Sequence, residues 1–162
     1  MIVLQFVRGT ELDSRLIEWF GHGAQFSHVD SVSPFNGSLI GARSGAIGGV
    51  PSGVYSRVPD YVGDAETLRI ELPCSQEITD AYYEFLGLQI GKPYDKEGIL
   101  AFVAGRDWQD PGAWFCSELV AAGLQASGYF THQIASPSNK ITPPDLVLML
   151  SVLTDVQLKE TP

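Results

Sequence analysis

The period of the apolar residues changes at Pro73, and that change constrains the fold more than any other feature of the chain. Ahead of it, across residues 66–72, Leu68, Ile70 and Leu72 alternate with Thr67, Arg69 and Glu71, the two-residue period of a strand with one buried face. Behind it, Ile78, Ala81, Tyr82, Phe85 and Leu86 recur at helical spacing, with Ser75 or Cys74 placed to cap the helix and Gly91 and Pro93 to end it. Strand and helix must therefore bury their apolar faces together. At 162 residues, 44% hydrophobic and 18% charged, the chain can close one real core. No repeat, low-complexity tract or linker divides it, so the expectation is a single α+β domain over residues 1–162.

Other segments fill in that outline. Met1-Ile2-Val3-Leu4-Gln5-Phe6-Val7-Arg8 reads as a first strand, and Thr10 can cap a helix that buries Leu12, Leu16, Ile17 and Phe20. Residues 27–32 alternate, Pro34-Phe35-Asn36-Gly37 supplies a turn, and residues 38–43 return as a partner strand. The connection over residues 45–53 is too rich in glycine to be a strand throughout, and residues 54–58 read as one more strand. Helical patterns follow at 96–104 and at 113–125, the second closed by Gly128, with a polar loop at 105–112 between them. Asp145 is placed to cap a helix over 146–153, and residues 156–158 have the pattern of a last short strand.

Charge and cysteine content narrow the function classes. The net charge is −9 and no cluster of Lys or Arg occurs, which argues against nucleic acid or an anionic membrane as main partner. No apolar stretch approaches the roughly 20 residues that span a bilayer, so no integral membrane segment is expected. Two cysteines in unlike contexts read as free thiols of a reducing compartment. The first residues lack the basic start of a signal peptide; a cytoplasmic location is expected, with any role outside the cell requiring export by another route.

Chemistry concentrates on Trp114-Phe115-Cys116-Ser117-Glu118-Leu119-Val120, where a thiol falls in the first turn of an amphipathic helix. Unpaired N–H groups and the positive end of the helix dipole favour a thiolate there. A lone cysteine is as a rule a small buried apolar residue, so Cys116 needs a base to count as a nucleophile. The candidate is His28, on the alternating segment Phe26-Ser27-His28-Val29-Asp30-Ser31-Val32, with Asp30 two residues along on the same strand face. His22 and His132 have no thiol or acid nearby in sequence. No Cys and His fall at paired ligand spacing, so neither a metal nor a cofactor is expected. Cys74 reads as a structural thiol. Trp108 and Trp114 bracket the loop before Cys116, placed either to line a substrate cleft or to pack in the core.

Phe26-Ser27-His28-Val29, then Gly91-Lys92-Pro93-Tyr94-Asp95, then Phe115-Cys116-Ser117-Glu118-Leu119-Val120 resemble the NlpC/P60 superfamily of papain-like cysteine hydrolases. The histidine comes first, as in the circularly permuted branch that includes the YiiX-like and lecithin retinol acyltransferase-like proteins. Ile141-Thr142-Pro143-Pro144-Asp145-Leu146 also resembles a segment that follows the cysteine helix in permuted members, so the likeness covers roughly residues 26–148. The resemblance implies an antiparallel sheet packed against helices, with the nucleophile at a helix N-terminus. It further implies Cys116 as nucleophile, His28 as base and Tyr94 as a hydroxyl that helps receive the oxyanion. A bland reading of Tyr94 as a packing aromatic stands beside this.

The group that orients the histidine departs from the family pattern, which places a polar or acidic side chain on the following strand. A hairpin turning at Phe35-Asn36 sets His28 opposite Arg43, and one turning at Asn36-Gly37 sets it opposite Gly45 with Arg43 diagonal. Either way an arginine, and no acceptor, comes near. Asp30 is the choice for the orienting group, with a backbone carbonyl or Ser44 as alternatives. Arg43 is then a ligand for a substrate carboxylate or a solvated strand residue. The implied activity is hydrolysis of an amide or peptide bond, as in cell-wall peptides, through a Cys116 thioester. An acyltransferase or lipid amidase on the same scaffold, and a catalytically silent binding module, are the alternatives; the oligomeric state is not readable.

Overall fold

The computed structural model describes residues 1–8, 26–96 and 112–154. Five strands occupy the segments whose alternation marks them, to within one or two residues: β1 Ile2–Val7, β2 His28–Val32, β3 Leu39–Arg43, β4 Gly53–Arg57 and β5 Thr67–Leu72. They form one sheet in the order β4-β3-β2-β1-β5, with every pairing antiparallel. The first strand thus lies inside the sheet. Leu4 stands opposite both Ser31 and Ile70, and Phe6 opposite both Val29 and Leu68. These side chains make one buried face, and its polar member is satisfied, since Ser31 Oγ lies 2.6 Å from the Tyr82 hydroxyl.

Helices α1 (Gln76–Gln89), α2 (Cys116–Ala126) and α3 (Pro143–Ser151) follow the strands in sequence. Helix α1 starts where Ser75 accepts from the Ile78 N–H. Tyr82 and Leu86 of α1, with Leu119, Val120 and Leu124 of α2 and Leu146 and Leu150 of α3, close the core over the sheet. The helices α1 and α2 approach closely at Gly123, where a Cβ would come within 2.8 Å of the Tyr82 ring. One sequence expectation is corrected: Asp145 does not cap α3. Thr142 does, its hydroxyl accepting from the Asp145 N–H at 3.2 Å while the Asp145 carboxylate accepts from the Thr142 N–H at 2.9 Å. The prolines at 143 and 144 fit the first helical positions, where no N–H is required, and so move the start upstream.

The glycine-rich connection contains a two-residue turn. Ile47 and Val50 exchange backbone hydrogen bonds across Gly48 and Gly49, both at positive φ (59° and 78°). Among the described residues no helix is long and apolar enough to cross a membrane. The expected helix over 10–20, the helical pattern at 96–104 beyond Lys96, the 105–112 loop before Gly112 and the strand at 156–158 lie outside the described residues. Trp108 and His22 lie there too.

Candidate active site

Cys116 is the first residue of α2, with Phe115 extended before it at φ −103° and ψ 170°. Two features hold that start in place. The Phe115 N–H donates to the buried Glu118 carboxylate at 3.4 Å. The Gly91-Lys92-Pro93-Tyr94 element laces the helix lead-in to the sheet: Val54 N–H donates to Lys92 O (2.9 Å), Trp114 N–H to Pro93 O (3.1 Å) and Asp95 N–H to Trp114 O (3.0 Å). Gly53 permits this approach, because it sits at φ +120° and a Cβ would meet Lys92 O at 2.5 Å. The element therefore runs beside the residues that lead into Cys116, with Tyr94 in parallel bridge to Trp114.

His28 opens β2. Its Nε2 lies 3.0 Å from Asp30 Oδ2, and both side chains are buried. The imidazole and the Cys116 thiol are close enough that each favours the other's charged form. The strand register is set by Ser31 opposite Ile40 and Val32 opposite Leu39. That register corresponds to the turn at Phe35-Asn36.

The charges explain one another. Burial alone would pull the His28 imidazole down, but attraction to Asp30 and then to Cys116 overrides it and pushes the pKa up to about 9. Burial would raise the Asp30 carboxyl; the facing imidazole and hydrogen bonds from His28 and Tyr61 hold it below its ordinary range instead. Burial likewise opposes ionisation of Cys116, and the His28 charge, its hydrogen bond and one from the Val29 backbone lower the thiol. An ion pair of thiolate and imidazolium, backed by a carboxylate, is the state these surroundings favour.

Three residues that sequence patterns did not single out complete the surroundings. Tyr61, on the 3-10 turn Pro59–Val62, donates its hydroxyl to Asp30 Oδ2 and lies 3.3 Å from His28 Nε2. Gly41 makes room for the carboxylate, since a Cβ there would fall 2.0 Å from Asp30 Oδ1. Arg57 is buried and donates to four backbone carbonyls, those of Gly41, Pro51, Gly53 and Tyr55, at 2.9–3.3 Å. No motif marks any of them. Arg57 and Tyr61 look like ordinary surface residues in the sequence.

The other candidates are placed as follows. Arg43 is half-buried, its guanidinium 4.7 Å above the Tyr61 ring. Tyr94 is half-buried against the core. Trp114 turns toward α1, with its indole N–H on Gln89 Oε1 at 3.1 Å and its ring edge-on to Phe85. Cys74 is half-buried with its sulfur 3.3 Å from Thr79 Oγ1, and His132 is exposed.

No protein-family model matches the chain, and no curated protein matches it in sequence. Among solved structures, the crystal structure of metalloprotein yiiX from Escherichia coli O157:H7 superposes with a TM-score of 0.58 at 19% identity, over 79% of this chain and 66% of that one. The fold is similar to that of yiiX. At this identity the likeness is one of architecture, and the chain spans about 66% of the length of yiiX. Among the described residues no three His, Cys, Asp or Glu side chains converge as a metal-ligand set. His28 and Asp30 are directed at each other rather than at a common point, so this donor set does not fit a metal ion and no step is assigned to one.

Proposed function

We propose that this domain is a permuted papain-like thiol hydrolase that cleaves an amide or peptide bond through a thioester on Cys116. The observation that carries the reading is the chain of contacts from the Cys116 thiol through His28 to Asp30, with the thiol at a helix start. The thiolate attacks the acyl carbon, and the negative charge that develops on the carbonyl oxygen is received by first-turn N–H groups of α2, which have no carbonyl partner within their own helix. Tyr94 is proposed as a further donor to that oxygen. As the tetrahedral species collapses, the C–N bond breaks and the His28 imidazolium gives a ring proton to the departing amine. Neutral His28 then takes a proton from water, the hydroxide attacks the thioester, and the acid leaves as the thiolate reforms. Asp30 keeps the ring oriented and the imidazolium stable throughout.

Arg43 is proposed to face a carboxylate of the substrate, and Trp114 and Trp108 to border its path. The substrate class, a cell-wall peptide, follows from the family resemblance. Iodoacetamide tests the reading: at about pH 6 Cys116 should be alkylated far faster than Cys74, and His28→Ala should slow it. Equal, slow labelling of both cysteines would refute an activated thiol and leave a non-catalytic binding module. Trapping the acyl-enzyme with cell-wall fragments and with acyl lipids, read by intact mass, separates the peptidase from an acyltransferase or lipid amidase.

A further inference from the structure

We infer that Tyr61 is a positioning residue for His28, fixing Asp30 Oδ2 toward the imidazole and covering that ion pair from water. Asp30 Oδ2 accepts from Tyr61 and pairs with His28 Nε2, so one oxygen is held from two directions. The other oxygen, Oδ1, is buried without a hydrogen-bond partner among the described residues, packed where Gly41 leaves space. Among the described residues, the hydrogen bond that fixes this carboxylate besides the histidine comes from the tyrosine. The phenol stays protonated, because burial and then the Asp30 charge both oppose its ionisation, so it remains a donor. Its hydroxyl lies 3.3 Å from His28 Nε2, the same nitrogen that faces Asp30 Oδ2.

The turn that delivers Tyr61 is short and its other residues are outside the core, so the side chain reaches inward from the surface. Arg43 lies over the ring and holds it there. The groups facing the His28–Asp30 pair among the described residues are thus Cys116, Tyr61 and Arg43, with Arg57 beyond. Of these Tyr61 alone touches both members of the pair through one atom.

The role of Tyr61 in turnover rests on the thiol-hydrolase reading, whereas its hold on Asp30 does not, and the two are measured separately. In the full chain, proton NMR follows the His28 ring N–H, assigned by its loss in His28→Gln, and iodoacetamide follows Cys116 with Cys74 as internal reference. Tyr61→Phe keeps the cover and deletes the donor; Tyr61→Ala deletes both. The expected order of ring N–H protection from exchange is wild type, then Phe, then Ala, with Cys116 alkylation at about pH 6 falling about tenfold in Tyr61→Ala and Cys74 unchanged. A ring N–H that exchanges in both variants as it does in the wild type overturns the inference. Should circular dichroism show Tyr61→Ala unfolded, Tyr61→Phe decides alone: faster N–H exchange supports the positioning role, and unchanged exchange overturns it. Slow Cys116 labelling in the wild type refutes the hydrolase reading and leaves the exchange result standing.

Discussion

Asp30 Oδ2 lies 3.0 Å from His28 Nε2, and the two residues are next-but-one neighbours on a single strand. The carboxylate that meets the histidine therefore comes from the histidine's own strand, where the two-residue period brings both side chains to one face. The adjoining strand supplies Gly41 and Arg43 in place of an acceptor. Four expectations follow from this arrangement and from the packing that supports it.

Asp30→Asn preserves shape and removes the charge that outweighs the burial of His28. The His28 pKa should then fall from about 9 to its ordinary value near 6.5 or below. With less imidazolium to stabilise the thiolate, iodoacetamide alkylation of Cys116 at about pH 7.5 should slow by roughly ten- to a hundredfold, about 1.4–2.8 kcal/mol. Labelling as fast as in the wild type would remove Asp30 from the proposed relay.

Gly41→Ala places a methyl group 2.0 Å from Asp30 Oδ1 and 3.4 Å from the Val29 carbonyl oxygen. A short, buried carboxylate side chain has little room to yield, so overpacking should cost about 1–3 kcal/mol in urea unfolding. Cys116 alkylation should slow at the same time, because Asp30 is displaced from His28. A variant with wild-type stability and reactivity would show that the carboxylate is free to move.

The reactive ion pair needs an ionised thiol and a protonated imidazole. The Cys116 thiol is lowered from its ordinary value, so reactivity should appear below the usual thiol range; His28 is raised to about 9, so the imidazolium should be lost as pH climbs through that value. Turnover should form a bell whose alkaline limb falls near pH 9, and iodoacetate, an anion drawn to the imidazolium, should slow over the same limb. An alkaline limb near 6.5 would mean that Asp30 does not support the histidine.

Gly123→Ala tests the scaffold apart from the site. The added carbon meets the Tyr82 ring at 2.8 and 3.2 Å and Phe85 at 3.3 Å, where α1 and α2 touch. A loss of about 1–3 kcal/mol is expected from overpacking. Under native conditions the ratio of Cys116 to Cys74 labelling should persist, since Gly123 lies two turns along α2 from the thiol.

The five strands of the described residues and the start of α1 are legible in the sequence because each depends on near neighbours: alternation in 66–72, a serine ahead of Ile78, glycine beyond the last helical turn. The start of α3 lies a few residues ahead of the one expected from Asp145, because Thr142 and Asp145 both suit a cap and the two prolines choose the earlier one. Cys116 and His28 are offered together by the order of motifs that resemble a known family, and Asp30 by the strand period. Two turns fit the hairpin in the sequence, and the pairing of Ser31 with Ile40 selects the one at Phe35-Asn36.

By itself, then, the sequence determined the strands and helices of the described residues, since those follow from periods and caps spanning a few residues, and it offered Cys116, His28 and Asp30 as candidates through a family resemblance and the strand period. Only the tertiary structure decided what surrounds them. Tyr61 is 31 residues from Asp30 in a turn without periodicity, and Arg57 and Gly41 gain their roles from strand neighbours. Burial and charge pairing depend on which distant segments are brought together, and no local pattern encodes that closeness.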